Sequence, residues 1–134
     1  MALTLLRDGG GDAVVAAGST GALLSAATLL VKRVRGIRRA AMAPLIPTAG
    51  GKLVLIDCGA NAECTPEWLV QFAQMGSTYA RHRYGIAEPK VGLLSIGEEP
   101  TKGTPLVKET HALLAEGSWA ATCGGTFVGN VEGR

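Results

Sequence analysis

The stretch Val91-Gly92-Leu93-Leu94-Ser95-Ile96-Gly97-Glu98-Glu99-Pro100-Thr101-Lys102-Gly103-Thr104 decides how the chain is read. A short apolar run, bounded by turn residues, has the signature of a buried strand. It ends abruptly in a glycine-flanked loop with two acids, Glu98 and Glu99, and one base, Lys102. An amphipathic segment follows, predicting a helix from about Pro105 to Glu116. Strand, polar loop and helix in that order are how an α/β protein presents side chains at the carboxyl end of a parallel sheet.

Working outward, the same order recurs. Ala13 to Ala17 reads as a buried strand, broken by Gly18-Ser19-Thr20-Gly21. Ser19 or Thr20 caps a following helix to about Arg35, whose apolar part, Ala22 to Val31, reads as buried. Leu53-Val54-Leu55-Ile56 reads as a second strand, ending at Asp57, and the loop Cys58 to Cys64 follows it. Thr65 and Pro66 then make an N-cap and a first-turn proline. The helix they open turns Trp68, Leu69, Phe72, Ala73, Met75 and Tyr79 inward and ends near Tyr84-Gly85. Ala40 to Ile46 reads as extended, and Pro44 and Pro47 place it at a sheet edge. Ala49 to Lys52 is a turn. Ala2 to Arg7 reads as a helix end, Gly117 to Thr126 as irregular, and Phe127-Val128 as the start of a strand. Three strand–loop–helix units with an extended pair inserted predict a single α/β domain over residues 1–134. The expected architecture is a three-layer sandwich with a mostly parallel sheet.

Composition narrows the class. The chain has 134 residues, 47% of them hydrophobic, and a mean hydropathy of +0.24, so a packed core is expected rather than disorder. Only 4% are aromatic, so aliphatic side chains and alanine must fill that core. A net charge of +2 is too small for a general nucleic-acid binder. The bases are clustered, however: Lys32, Arg33, Arg35, Arg38 and Arg39 form either a solvated helix end or a dock for an acidic or anionic partner. Cys58, Cys64 and Cys123 are odd in number and follow no signal peptide, which predicts reduced thiols in a cytoplasmic protein. Their spacing lacks the Cys and His partners of a zinc site, so no metal is expected.

Three loops then carry the candidate chemistry: Gly18 to Gly21, Asp57 to Asn61, and Gly97 to Gly103. Each precedes a helix and offers free backbone N–H groups at the positive end of a helix dipole, an arrangement that suits an anion. The alternative for each is a glycine turn needed for steric reasons alone. The dinucleotide fingerprint fails at Gly18 to Gly21 for want of its leading glycines. The Walker order fails at Gly97 to Thr104, because the lysine precedes the glycine. Lys102 is the sharpest candidate, either holding a phosphate or developing oxyanion or standing as an exposed loop lysine. Asp57 either orients a donor or caps a turn, and Asn61 either donates to a carbonyl oxygen or satisfies local backbone. His82 and His111 read as surface residues.

Taken together, several of these segments resemble one family. Ala17 to Leu23, Arg35 to Arg39 with Pro47-Thr48, Asp57 to Asn61, Gln71 to Ser77, Val91 to Glu99, and Phe127 to Arg134 are similar, in order, to motifs of the bacterial PlsX-type phosphate acyltransferases of phospholipid synthesis. The resemblance implies an isocitrate/isopropylmalate dehydrogenase-like α/β fold. It implies transfer of a fatty acyl group from acyl carrier protein to inorganic phosphate, giving an acyl phosphate, without metal or redox cofactor. It also implies a homodimer, peripheral at the inner face of the cell membrane. On it, Lys102 and Asn61 are catalytic. Gly18, Ser19, Thr20, Gly21, Asp57, Gly59, Gly97 and Gly103 bind substrate or phosphate. Arg33, Arg35, Arg38 and Arg39 contact carrier protein or lipid.

Two departures stand out. Ser19 sits where the family more often has asparagine, and the connection Gly117 to Thr126 is unusual. The family's amino-terminal glycine-rich strand and its later Thr-Asp-Gly loop are not found here, so the chain is expected to be a central segment of a longer enzyme. Against autonomous catalysis stands a non-catalytic fragment that keeps only anion or carrier-protein binding. An unrelated nucleotide-binding domain is the third reading, disfavoured by the failed fingerprints.

Overall fold

A computed structural model describes residues 1–133. The chain divides into two compact units, one spanning Met1–Ala41 and one beginning at Met42. The class is α/β, built from helices and two small sheets.

The first unit holds helices α1 (Ala2–Arg7) and α2 (Thr20–Leu30), which pack on each other. Ser19 caps α2, its Oγ accepting from the Ala22 N–H at 3.4 Å. The strand expected over Ala13 to Ala17 is not formed, and Val15 is 99% exposed. A parallel strand exists only between neighbours that bond its edges and cover both faces, and this segment pairs with no strand among the described residues. The expected burial of Ala22 to Val31 is likewise corrected. No residue of α1 or α2 is buried, because two short helices enclose too little volume for a core. Helix α2 also stops earlier than expected. Lys32 adopts φ +71°, and the Val31 and Lys32 N–H groups both close on the Ala27 carbonyl. The basic run therefore lies on a loop, not along a helix end.

In the second unit, β1 (Leu45–Thr48) and β2 (Gly51–Val54) form an antiparallel hairpin, with Thr48 opposite Gly51. The turn falls where Ala49-Gly50 allows it. Both strands sit a residue or more from their expected bounds. The sheet around β2 is thus antiparallel, because a two-residue connection returns the chain alongside itself and leaves no room for a crossover.

Helix α3 (Pro66–Tyr84) follows its end signals closely. The Thr65 Oγ1 accepts from the Trp68 N–H at 3.4 Å, and Gly85, at φ +69°, ends the helix with its N–H on the Ala80 and Arg81 carbonyls. Its buried face is Phe72, Ala73, Ser77 and Ala80. Tyr79, expected inward, is 41% exposed and meets Tyr84 edge-on; it sits at the margin of that face, one heptad beyond Phe72.

Strand β3 (Lys90–Leu94) pairs in parallel with β4 (Thr126–Val131). Between them runs α4 (Pro105–Ala115), then a 3-10 helix (Ser118–Thr122). The core gathers Ala73, Leu114, Trp119 and Cys123 against Val70, Val91, Leu93, Ala120 and Phe127. The indole Nε1 of Trp119, 3% exposed, donates to the Leu114 carbonyl at 2.8 Å. The segment read as an irregular connection thus supplies the bulkiest core side chain. Register along β3 and β4 shifts after Val91: Val91 faces Phe127, and Gly92 faces Gly129. Val128 is the extra residue of a bulge. The strands close so tightly there that a Cβ on Gly92 would lie 2.7 Å from Val131 Cγ1.

Candidate functional site

Two of the three predicted loops lie in the second unit, and each has a defined geometry. In the first of these, the Asp57 carboxylate organises its surroundings. Its Oδ1 accepts from the Met42 N–H at 2.8 Å, and its Oδ2 accepts from the Asn61 N–H at 2.8 Å and from Asn61 Nδ2 at 3.1 Å. Burial pushes this carboxyl up. The hydrogen bonds from Met42, from the Asn61 side chain and backbone, and from the Ala60 backbone outweigh it, and the group titrates below the usual carboxylate range. Asp57 therefore holds the loop closed. Asn61 is bound to it through one amide hydrogen and sits, with Gly59, on the wall of a large apolar groove. That groove, about 1420 Å³, runs between the hairpin, α3 and β3.

The second loop, Gly97 to Gly103, follows β3. It is a turn closed by the Lys102 N–H on the Glu99 carbonyl at 3.0 Å. Gly97 is buried beneath it: a Cβ there would meet Lys102 Cγ at 2.9 Å and Glu99 Oε2 at 3.0 Å. The lysine stem thus lies across the glycine, with its residue exposed. Gly103 takes φ +90° and has Val107 and Ser95 Oγ at 2.9 and 3.0 Å from where a Cβ would stand. No L side chain fits there. Thr104 then caps α4, its Oγ1 accepting from the Val107 N–H at 3.4 Å. A cleft of about 520 Å³ opens here, lined by Leu94, Ser95, Ile96, Gly103, Thr104 and Val107. The Ser95 hydroxyl is buried without a hydrogen-bond partner. This end of β3 therefore brings the positive end of α4, an unsatisfied hydroxyl and a lysine-bearing turn together, which suits an anionic oxygen. Leu94 and Val107 line both the cleft and the groove.

The remaining predicted residues lie in the first unit. Gly18 and Gly21 flank the Ser19 cap, with Thr20 as the first helical residue. Arg33, Arg35, Arg38 and Arg39 are exposed, and Arg33 donates to the Arg38 carbonyl. The structure thus groups Asp57, Gly59 and Asn61 in one loop and Gly97, Lys102 and Gly103 in another.

Three residues escaped the sequence reading. Ser95 was hidden inside an apolar run. Asn130 is 5% exposed, and its Nδ2 donates to the Glu99 carbonyl at 2.9 Å. His111, expected at the surface, is half-buried instead. Its Nδ1 lies 3.0 Å from Asn130 Oδ1, and its ring stacks edge-on against Phe127 at 5.1 Å. The apolar face of α4 carried it inward with Thr110 and Leu114. Arg134, the last residue of the expected carboxyl-terminal motif, lies outside the described residues. Among the described residues no group of three His, Cys, Asp or Glu is placed to hold a metal ion, and no helix is long and apolar enough to cross a membrane.

The arrangement is that of an α/β protein with a polar, lysine-bearing loop between a strand and a capped helix. The same fold occurs in the EutD phosphotransacetylase from Staphylococcus aureus, with a TM-score of 0.71 at 22% identity over 97% of this chain and 40% of that one. By sequence the chain belongs to the fatty acid synthesis protein family, which it matches over residues 1–134. It is 48% identical over 133 residues to the phosphate acyltransferase of Clostridium novyi, covering 99% of this chain and 38% of that protein. It is also 48% identical to that of Herpetosiphon aurantiacus, covering 97% and 34%. The chain thus spans little more than a third of the relatives it matches.

Proposed function

We propose that the chain carries part of the active site of an acyltransferase that converts acyl-[acyl carrier protein] and inorganic phosphate to acyl phosphate in lipid synthesis. The observation that carries the reading is Lys102 on a glycine-bedded turn beside the α4 N-terminus, within a chain similar throughout to phosphate acyltransferases. A phosphate oxygen attacks the thioester carbonyl carbon, and charge collects on the carbonyl oxygen. The C–S bond then breaks, and the carrier thiol leaves as thiolate. Phosphate esters ionise near pH 6 and thiols near 8.5, so neither nucleophile nor leaving group needs strong activation. Positioning and charge stabilisation are the main demands. Lys102 meets the phosphate or the developing oxyanion. The Asn61 amide donates to the carbonyl oxygen, and the glycine loops at Gly59 and at Gly97 to Gly103 supply backbone donors.

In this reading the segment is part of one α/β domain, a three-layer, mostly parallel sandwich of isocitrate/isopropylmalate dehydrogenase type. That domain works as a homodimer in the cytoplasm or peripherally at the membrane. The exposed arginines Arg33, Arg35, Arg38 and Arg39 attract the acidic carrier protein or lipid headgroups.

The test supplies acyl carrier protein thioester with and without phosphate and traps acyl phosphate with hydroxylamine. Phosphate-dependent hydroxamate is expected, falling about 100-fold or more in Lys102→Ala. No phosphate-dependent product from the chain, while a full-length relative is active, would refute catalysis by this segment alone. An undiminished rate in the variant would remove Lys102 from it.

A further inference from the structure

We infer that Asn130 and His111 form a relay that positions the Lys102 turn, a role that rests on the reading of Lys102 above. The Glu99 carbonyl receives two donors, the Lys102 N–H at 3.0 Å and Asn130 Nδ2 at 2.9 Å. One carbonyl thus closes the lysine's turn and ties that turn to the interior of β4. The chemistry fixes the orientation of every group in the chain of contacts. A carbonyl only accepts, so the Asn130 atom facing Glu99 is the amide nitrogen, and the atom facing His111 is the oxygen. That oxygen also only accepts, so His111 carries its proton on Nδ1. The ring is held in place from the other side by Phe127, edge-on at 5.1 Å.

The bulge makes this possible. In a regular strand, Phe127 and Asn130 would point to opposite faces, since side chains alternate with period two. The extra residue, Val128, restores them to one face, so both reach His111 on α4. Asn130 is 5% exposed, and both ends of its amide are satisfied. An amide buried this way fixes the loop far more tightly than a solvent-exposed contact does. Asn130 and His111 touch no reacting atom. They set where the Lys102 ammonium stands.

Amide hydrogen exchange and His111 ring nitrogen shifts, read by NMR on the whole chain, test this without recourse to catalysis. The wild-type ring is expected as the Nδ1–H tautomer, and a ring protonated only on Nε2 would overturn the relay. Asn130→Asp keeps the acceptor for His111 but loses the donor to Glu99. Exchange at the Lys102 N–H is expected to rise at least tenfold in it and in His111→Leu. In His111→Asn, whose amide nitrogen reaches the Nδ1 position, the protection is expected to return. Unchanged exchange at Lys102 in a folded Asn130→Asp chain would overturn the proposal. In the hydroxamate assay the same variants are expected to raise the phosphate KM at least tenfold while leaving the acyl-carrier KM unchanged. Loosened exchange in these variants, with a wild-type chain that makes no acyl phosphate, would sink the enzymatic reading and leave the relay standing.

Discussion

Replacing Asp57 with asparagine isolates what holds the first candidate loop. The side chain keeps its shape but loses its charge and one acceptor. Either orientation of the new amide sets an NH₂ group against an N–H donor, Met42 on one side or Asn61 on the other. The cheaper choice gives up the Met42 bond and leaves that N–H unpaired. Bonds to a charged group contribute about 1.5–3 kcal/mol each, and the partial exposure of Asp57 pulls the value toward the lower end. A loss of about 2 kcal/mol at pH 7 follows. With a urea m-value of roughly 1–3 kcal/mol/M, the midpoint falls by about 1 M. The pH dependence has a definite sign. The folded carboxyl is held below its ordinary value, so its stabilisation is complete above the unfolded pKa, near 3.9, and is lost as pH falls through the folded pKa. Wild type and Asp57→Asn should therefore differ most at pH 6–7 and converge in acid. Equal urea midpoints at pH 7, or a gap that widens in acid, would refute this account of the loop.

Two further substitutions probe the frame. Gly92→Ala drives a methyl to 2.7 Å from Val131 Cγ1 and should destabilise by about 1–3 kcal/mol, read as a lower urea midpoint; an unchanged midpoint would mean β3 and β4 are less tightly joined. Trp119→Phe removes the 2.8 Å bond to the Leu114 carbonyl and leaves a void among Ala73, Leu114 and Cys123, for about 2–3 kcal/mol by thermal unfolding; a cost below 0.5 kcal/mol would show that the 3-10 helix is not part of the core.

Local signals in the sequence were the most legible. Thr65-Pro66, Pro105 and Gly85 marked helix ends because a helix boundary is decided by the few residues that make or forgo its terminal bonds. The strand at Val91 and the lysine loop after it were legible as elements, but the strand read as buried over Val91 to Ile96 ends at Leu94 and is covered on one face only, with Leu94 56% and Ile96 84% exposed. What was hidden depends on distant partners. Ala13 to Ala17 has strand composition, yet a strand needs neighbours, and none pairs with it among the described residues. The Gly117 to Thr126 connection carries no periodicity, so nothing local announced that Trp119 would fill the core. His111 and Asn130 lie nineteen residues apart. No spacing rule joins them, because a single bulged residue decides which face Asn130 takes.

The three thiols give the chain a graded set of chemical reporters. Cys58 is exposed on the loop that Asp57 closes, Cys64 is half-buried at the far end of that loop, and Cys123 is 3% exposed with its Sγ donating to the Trp119 carbonyl at 3.6 Å. An alkylating reagent in the native buffer reaches Cys58 directly, but it reaches Cys123 only when the interior opens. The ratio of the two modification rates is then a clock for core opening, read from an unaltered sequence. Ligand occupancy of the groove near Asn61 would register as slowed labelling at Cys64, which lines it, and not at Cys123.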